Sequence, residues 1–149
     1  MIVVDASVVV KCYLPEVGSA EALSVITGRE KLIAPQLLRL EVHSAIIRHY
    51  RENALSREEV ERHSSAFERH LITRKHVELY PDDNQLSLAR KIALDLRHPI
   101  QDCLYLALAV EQGASLLTAD DKFHSKAGKT FDHVKLLRNI PRVSNHGTA

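Results

Sequence analysis

The stretch HPIQDCLYLALAVEQGASLLTADDKF, residues 98–123, decides how this chain folds. From Cys103 to Val110 every residue is apolar or Tyr. A helix here has no polar face to turn toward water, so it must be packed on most sides. Asp102 stands just before the apolar run, in the expected first turn. Gly113 ends the helix, Ala114 to Thr118 reads as a short strand, and Asp120 follows at the strand's carboxyl end. One compact unit therefore carries two carboxylates, one at each end of a helix–strand pair.

Working outward, the same alternation of strand and helix recurs along the chain. Ile2–Val4 is an apolar run without alternation, as expected of a central parallel strand covered on both faces. Asp5-Ala6-Ser7 closes it. Pro15-Glu16 is expected to open a helix that Gly28 stops, because Pro suits the first helical position. Lys31 to Ala34 reads as a second strand. A long helix from Pro35 to about Tyr50 carries the apolar stripe Leu37, Leu38, Val42, Ala45 and Ile46. Ser56 with Glu59 forms a capping box for a helix to about Leu71. His76 to Tyr80 alternates like a strand, Leu86 to Leu96 is an amphipathic helix, Asp121 to Ala127 a short one, and Val134 to Leu137 a last strand. Strands alternating with helices imply right-handed crossovers, hence an α/β fold: a mainly parallel sheet of about five strands with helices on both faces. Residues 1–140 are expected to form a single domain and 141–149 a polar tail.

The totals agree with that architecture and exclude several functions. A chain of 149 residues with 45% apolar and 26% charged content is globular and large enough to bury roughly 70% of its unfolded surface. No apolar run approaches the roughly 20 residues that a membrane span needs. The N-terminus runs straight into a strand with no basic region ahead of a cleavable apolar segment, so a cytoplasmic location is expected. Cys12 and Cys103 make neither a framework nor a metal pair and read as reduced core residues. His43, His76, His98 and His133 have no zinc-ligand spacing and read as surface or cap residues. There is no Gly-rich phosphate loop. The net charge of +1 argues neither for nor against nucleic acid. Arg48, Arg51, Arg57, Arg62, Arg69, Arg74 and Lys75 are interleaved with five Glu between residues 52 and 68. That pattern fits a solvated mixed-charge face or, alternatively, a rim that contacts phosphates.

Four carboxylates carry the chemistry. Asp5 and Asp120 should both lie outside the carboxyl ends of strands, where open α/β sheets bind ligands. Taken singly, Asp5, Asp102 and Asp120 also read as caps or as partners of a helix dipole. Glu41 does not. It falls in mid-helix, and the residues three and four away are Leu37, Leu38, Ser44 and Ala45, so it points with the buried stripe. An ionised carboxylate there costs several kcal/mol unless paired. That leaves two partners open, an Arg or a metal shared with other acids. A cluster of Asp5, Glu41, Asp102 and Asp120 would account for all four, and oxygen-only ligands suit Mg²⁺ or Mn²⁺. Ser7 and Thr118, each two residues from a strand-end acid, are placed to orient a carboxylate or a metal-bound water.

These residues resemble a known family. Val-Val-Asp5-Ala-Ser7-Val near the N-terminus is similar to the PIN-domain ribonucleases, in particular the VapC-type toxins of toxin–antitoxin pairs. So are Ala34-Pro35 through Glu41, Asp102 followed by a Leu-Tyr-Leu-Ala-Leu-Ala run, and Leu-Leu-Thr118-Ala-Asp120. The resemblance covers Ile2 to about Leu137. It implies a three-layer α/β/α sandwich and a Mg²⁺- or Mn²⁺-dependent endoribonuclease whose four acids fall on Asp5, Glu41, Asp102 and Asp120, with supporting hydroxyls on Ser7 and Thr118. It also implies a homodimer, inhibited by a small antitoxin protein that enters the acidic groove. Two positions depart from the family pattern: Gln101 stands where an aromatic often precedes the third acid, and Asp121 lies beside Asp120. Arg39, Arg97 and Lys122 are candidates for holding the RNA backbone. Two other readings compete: a PIN-like module that binds RNA or protein without cutting, and a haloacid-dehalogenase-type phosphohydrolase. The latter wants a second Asp two residues after the first, where this chain has Ser7.

Overall fold

A computed structural model describes residues 1–141; residues 142–149 of the expected polar tail lie outside the described residues. Five parallel strands form one sheet: β1 (Ile2–Val4), β2 (Leu32–Pro35), β3 (Val77–Tyr80), β4 (Ser115–Thr118) and β5 (Val134–Leu136), in the order β3-β2-β1-β4-β5. Among the described residues seven α-helices flank it: α1 (Ala6–Val9), α2 (Ser19–Ile26), α3 (Leu37–Arg51), α4 (Arg57–Phe67), α5 (Leu86–Leu96), α6 (Ile100–Gln112) and α7 (Asp121–Ala127). The result is the expected three-layer α/β/α sandwich. Among the described residues no helix is long and apolar enough to cross a membrane.

The apolar runs explain the layers. Val3, Val4, Leu116 and Leu117 are almost wholly buried, which an alternating strand permits only if both sheet faces are covered. Leu116 joins the main core, whereas Leu117 packs with Val8, Ala22 and Leu137 in a second cluster on the other side. In α6, Cys103 through Ala109 are all buried. The helix lies against α5, β1, β2 and β4, and the apolar run ends in an exposed Val110. Gly113 then caps the helix with φ of 61°, a left-handed conformation that glycine adopts without penalty.

Four local readings change. Asp5-Ala6-Ser7 is not a simple turn: the Asp5 carbonyl accepts from Val8 N and Val9 N, starting α1 and a 3₁₀ turn, Val10–Cys12. Burial of Val8 and Val9 overrides the weak helix propensity of β-branched residues. The second helix starts at Ser19, not at Pro15, because Gly18 with φ of 93° intervenes. Pro35 ends β2 instead of opening α3. On the β1 side the paired residues of β2 are Leu32 and Ile33, so no ladder bond toward β1 needs the N–H that Pro35 lacks. The capping box at Ser56 and Glu59 is present, but the α-helical part of α4 stops at Phe67 and continues as a π-helix, Glu68–Thr73. Glu68, its first residue, accepts two hydrogen bonds from Arg39 and one contact from His43, tying this turn to α3.

The topology places the site. Strand order reverses beside β1, so the crevice lies outside the carboxyl ends of β1 and β4. Helix α6 must run antiparallel to β4, since only Gly113 and Ala114 separate them. Its 13 residues extend roughly 20 Å, against roughly 13 Å for a four-residue strand. The first turn of α6, with Asp102, therefore projects over the carboxyl edge of the sheet. Helix α3 starts at the same edge, with Glu41 one turn in.

Candidate active site

Asp5, Ser7, Glu41, Asp102 and Asp120 line one cavity of about 310 Å³ at this edge. They come from four segments far apart in the chain. Thr118 lies directly behind, fully buried.

Asp5 is placed by sheet register. Val4 pairs with Leu117, and Asp5 N donates to Leu117 O at 3.1 Å, which brings Asp5 beside Thr118. Its side chain makes no cap bond to α1. Instead Oδ2 accepts from Thr118 Oγ1 at 2.7 Å and from Ser7 Oγ at 3.0 Å. Each hydroxyl in turn accepts a backbone N–H, Ser7 from Ala119 at 3.0 Å and Thr118 from Asp120 at 3.1 Å. The hydroxyl rotors are thereby set, with their oxygens facing backbone donors and their protons facing Asp5. Both protons are spent on the carboxylate, so the 3.4 Å contact between the two hydroxyls needs no bond of its own. Ser7 and Thr118 thus orient Asp5. Ser7 is also the position at which dehalogenase-type chemistry would want a carboxylate.

The other acids have different partners. Glu41 is half-buried, and its Oε1 accepts from Tyr105 Oη at 2.7 Å. Tyr105 belongs to the buried run of α6 and is fully buried, so the partner of Glu41 is a phenol and not an Arg. Asp102 takes His98 Nε2 at 2.5 Å. This corrects the surface reading of His98: its side chain is only 5% exposed, and its ring stacks on Phe123 with centroids 4.7 Å apart. Left-handed Arg97 before it and Pro99 after it turn the ring inward. Asp120 caps α7 as one reading expected, with Oδ1 accepting from Phe123 N at 3.0 Å. It nevertheless lines the cavity.

Electrostatics show how crowded the acids are. Burial raises Asp5 to about 6, with Asp102 adding repulsion, against the opposing hydrogen bonds from Thr118 and Ser7. Burial raises Glu41 to about 7, opposed by the Tyr105 bond and reinforced by Asp5, Asp102 and Asp82. Asp82 is there because its Oδ1 caps the start of α3 at Leu37 N. Asp5, Glu41 and Asp102 thus form a mutually repelling set. Asp120 is not among the charges raising either group.

As the side chains stand, no three His, Cys, Asp or Glu among the described residues converge as a ready metal-binding group. Each acid is held by its own donor. The donor set still fits a hard cation: it is all oxygen, and two of its members are held toward the neutral form by burial and by neighbouring acids, a cost that a bound dication offsets. A soft or imidazole-rich site is not available here.

The cations expected to hold RNA lie elsewhere. Arg39 is engaged by Glu68 at 3.1 and 2.8 Å. Arg97 occupies the end of α5, and its carbonyl accepts from Lys126 Nζ. Lys122 is exposed on α7. None of the three lines the cavity; Lys11 and Arg48 do. Sequence reasoning missed Tyr105 and His98 as site partners. Tyr105 carried a signal, being the one polar-tipped residue in an apolar run.

A model of the PIN domain family matches residues 2–129, a span that includes all four acids, both hydroxyls and all five strands but the last. None of the curated proteins matches the chain significantly. PIN domains are typically nucleases that bind RNA and use divalent metal ions. On that match, over a five-stranded parallel sheet with its acids gathered at the carboxyl edge, the chain belongs to the PIN domain family.

Proposed function

We propose that this protein is a metal-dependent endoribonuclease that hydrolyses RNA phosphodiester bonds, with Asp5, Glu41, Asp102 and Asp120 as its metal-holding and catalytic carboxylates. The observation that carries the reading is the convergence of these four acids on one cavity, with Asp5 and Glu41 raised chiefly by burial and further by the charge of neighbouring acids. Such an arrangement is costly to the fold beyond what the hydroxyl donors offset, and a bound dication would offset the remainder.

Mg²⁺ or Mn²⁺ at these oxygens would lower the pKa of a bound water and stabilise charge on the phosphoryl oxygens. The protein's own part is positional. Ser7 and Thr118 fix the rotamer of Asp5 through Oδ2 and leave its Oδ1 without a side-chain hydrogen bond among the described residues. Tyr105 holds Glu41, and His98 holds Asp102, each from a buried ring that cannot drift. Such supporting donors orient carboxylates and keep them available as oxygen ligands.

The test is cleavage of a structured RNA with Mg²⁺ or Mn²⁺ by wild type, Asp5→Asn and Asp102→Asn. Loss of activity in both variants, and in wild type with chelator, supports the assignment; equal cleavage by all three removes it. That no three metal-ligating side chains among the described residues converge as a ready-formed group favours a second reading, a PIN-like module that binds RNA or protein without cutting. Metal-independent RNA binding with no cleavage would establish that one. As a VapC-type toxin the protein would be a cytoplasmic homodimer, held inactive by a small antitoxin encoded beside it. Co-expression with the product of the adjacent short reading frame, followed by co-purification and relief of growth arrest, checks that pairing.

A further inference from the structure

Of the two cations that line the acidic cavity, only one has a carboxylate partner. Lys11 Nζ is held by Glu16 Oε2 at 3.1 Å and by the Val17 carbonyl at 2.8 Å. Glu16 lines the cavity too, so this pair adds no net positive charge to its wall. Arg48 is exposed, and among the described residues its side chain has no hydrogen bond or ion pair. Arg39, Lys31 and Arg138, none of which lines the cavity, are each paired with a carboxylate, Glu68, Glu78 and Asp121 respectively.

Arg48 is also placed in register with the site. Glu41, Ala45 and Arg48 follow one another at i, i+4 and i+7 on α3, a single helical stripe, and all three line the cavity. Ala45, the smallest of them, leaves the space between the carboxylate and the guanidinium open. Five acids line the cavity against two cations, one of them masked. A polyanion entering this wall is repelled unless a fixed cation meets it, and a guanidinium matches phosphate oxygens in a bidentate way.

We propose that Arg48 is the phosphate-binding residue of this site, gripping an RNA backbone phosphate next to the one that is cut, two helical turns from Glu41. The inference rests on the nuclease reading and names how that site holds its substrate. The contact is to backbone, so it confers affinity without sequence preference.

The experiment compares wild type with Arg48→Ala, Arg48→Lys, Arg48→Glu and, as an exposed cation outside the cavity, Arg51→Ala. Single-turnover and steady-state cleavage of a short single-stranded RNA are measured with Mn²⁺ over a range of KCl, alongside RNA affinity by fluorescence anisotropy in Ca²⁺. Arg48→Ala should raise KM and Kd about tenfold while kcat stays within about threefold. It should flatten the slope of log affinity against log salt by about 0.7, one phosphate contact on a single strand. Arg48→Lys should recover most of the loss, Arg48→Glu should deepen it, and Arg51→Ala should match wild type. Unchanged Kd and salt slope in Arg48→Ala overturn the proposal even if wild type cleaves. A fall in kcat alone, or an equal effect from Arg51→Ala, also overturns it. If wild type fails to cleave while Arg48→Ala still loses affinity, the nuclease reading fails and the phosphate contact stands.

Discussion

Replacing Asp5 by Asn should make the metal-free protein more stable and the nuclease inactive. Asp5 is 5% exposed, and its carboxyl is raised from 3.8 to about 6, chiefly by burial. A group whose folded pKa lies above its unfolded value stabilises the fold fully below the unfolded value, and that contribution is lost as pH rises through the folded one. Two units at about 1.4 kcal/mol each give a cost of about 3 kcal/mol once Asp5 is ionised above pH 7. Asn keeps the shape and an oxygen for the two hydroxyl donors, so the bonds from Ser7 and Thr118 survive while the charge does not. After allowing for imperfect replacement, Asp5→Asn should gain about 2 kcal/mol at pH 7.5 in chelator. That is about 4–8 °C in Tm for a chain of this size. At pH 4 most of that difference should be gone, because Asp5 is then protonated in the folded state and partly protonated in the unfolded one. Adding Mn²⁺ should reverse the order, since only wild type offers the full set of oxygens. Differential scanning calorimetry at pH 4, 6 and 7.5, with chelator and with Mn²⁺, reads all of this. An Asp5→Asn variant no more stable than wild type at pH 7.5, or a difference that does not change with pH, refutes the account of Asp5 as a strained buried charge.

Three further outcomes follow from particular contacts. Tyr105→Phe removes the donor to Glu41 and should cost about 1–3 kcal/mol in urea unfolding at pH 8, with the cost shrinking toward pH 5 as Glu41 protonates. Thr118→Val removes the shorter of the two hydroxyl bonds to Asp5 while keeping the packing volume. It should push the Asp5 carboxyl still higher, visible as a carboxyl signal titrating above pH 6 by ¹³C NMR, and Ser7→Ala should do the same by less. Gly113→Ala adds a methyl that meets nothing within 4 Å but forces a side chain onto φ of 61°. It should cost about 1–2 kcal/mol in thermal melts from backbone strain alone.

The local chemistry of the chain was legible without coordinates wherever it depended on near neighbours. The unbroken apolar run of α6, the strand patterns, the Ser56 capping box and the Gly113 stop are set by residues a few positions apart, and each formed. The unsuitability of Glu41 for solvent was legible for the same reason, because helical spacing puts it beside the stripe that buries Leu38 and Val42. Where tertiary burial outweighed propensity, the reading went astray. Three consecutive valines after Asp5 form helical turns because the core holds them, and Pro35 finishes a strand because no ladder partner there needs its missing N–H.

What only the tertiary structure decided is who meets whom. Asp5 meets Thr118 through the pairing of Val4 with Leu117, a register that joins residues 113 positions apart and that no spacing encodes. Glu41 meets Tyr105 because α6 outreaches the strands it covers, whereas His98 reaches Asp102 within one turn, from a left-handed Arg97 that sets it against α6. Arg48, and not Arg39, faces the acids, since Glu68 at the start of a π-turn claims Arg39. A sequence specifies which groups are costly to bury; which donor or charge answers each one depends on distances across the fold, and those arise only when the layers pack.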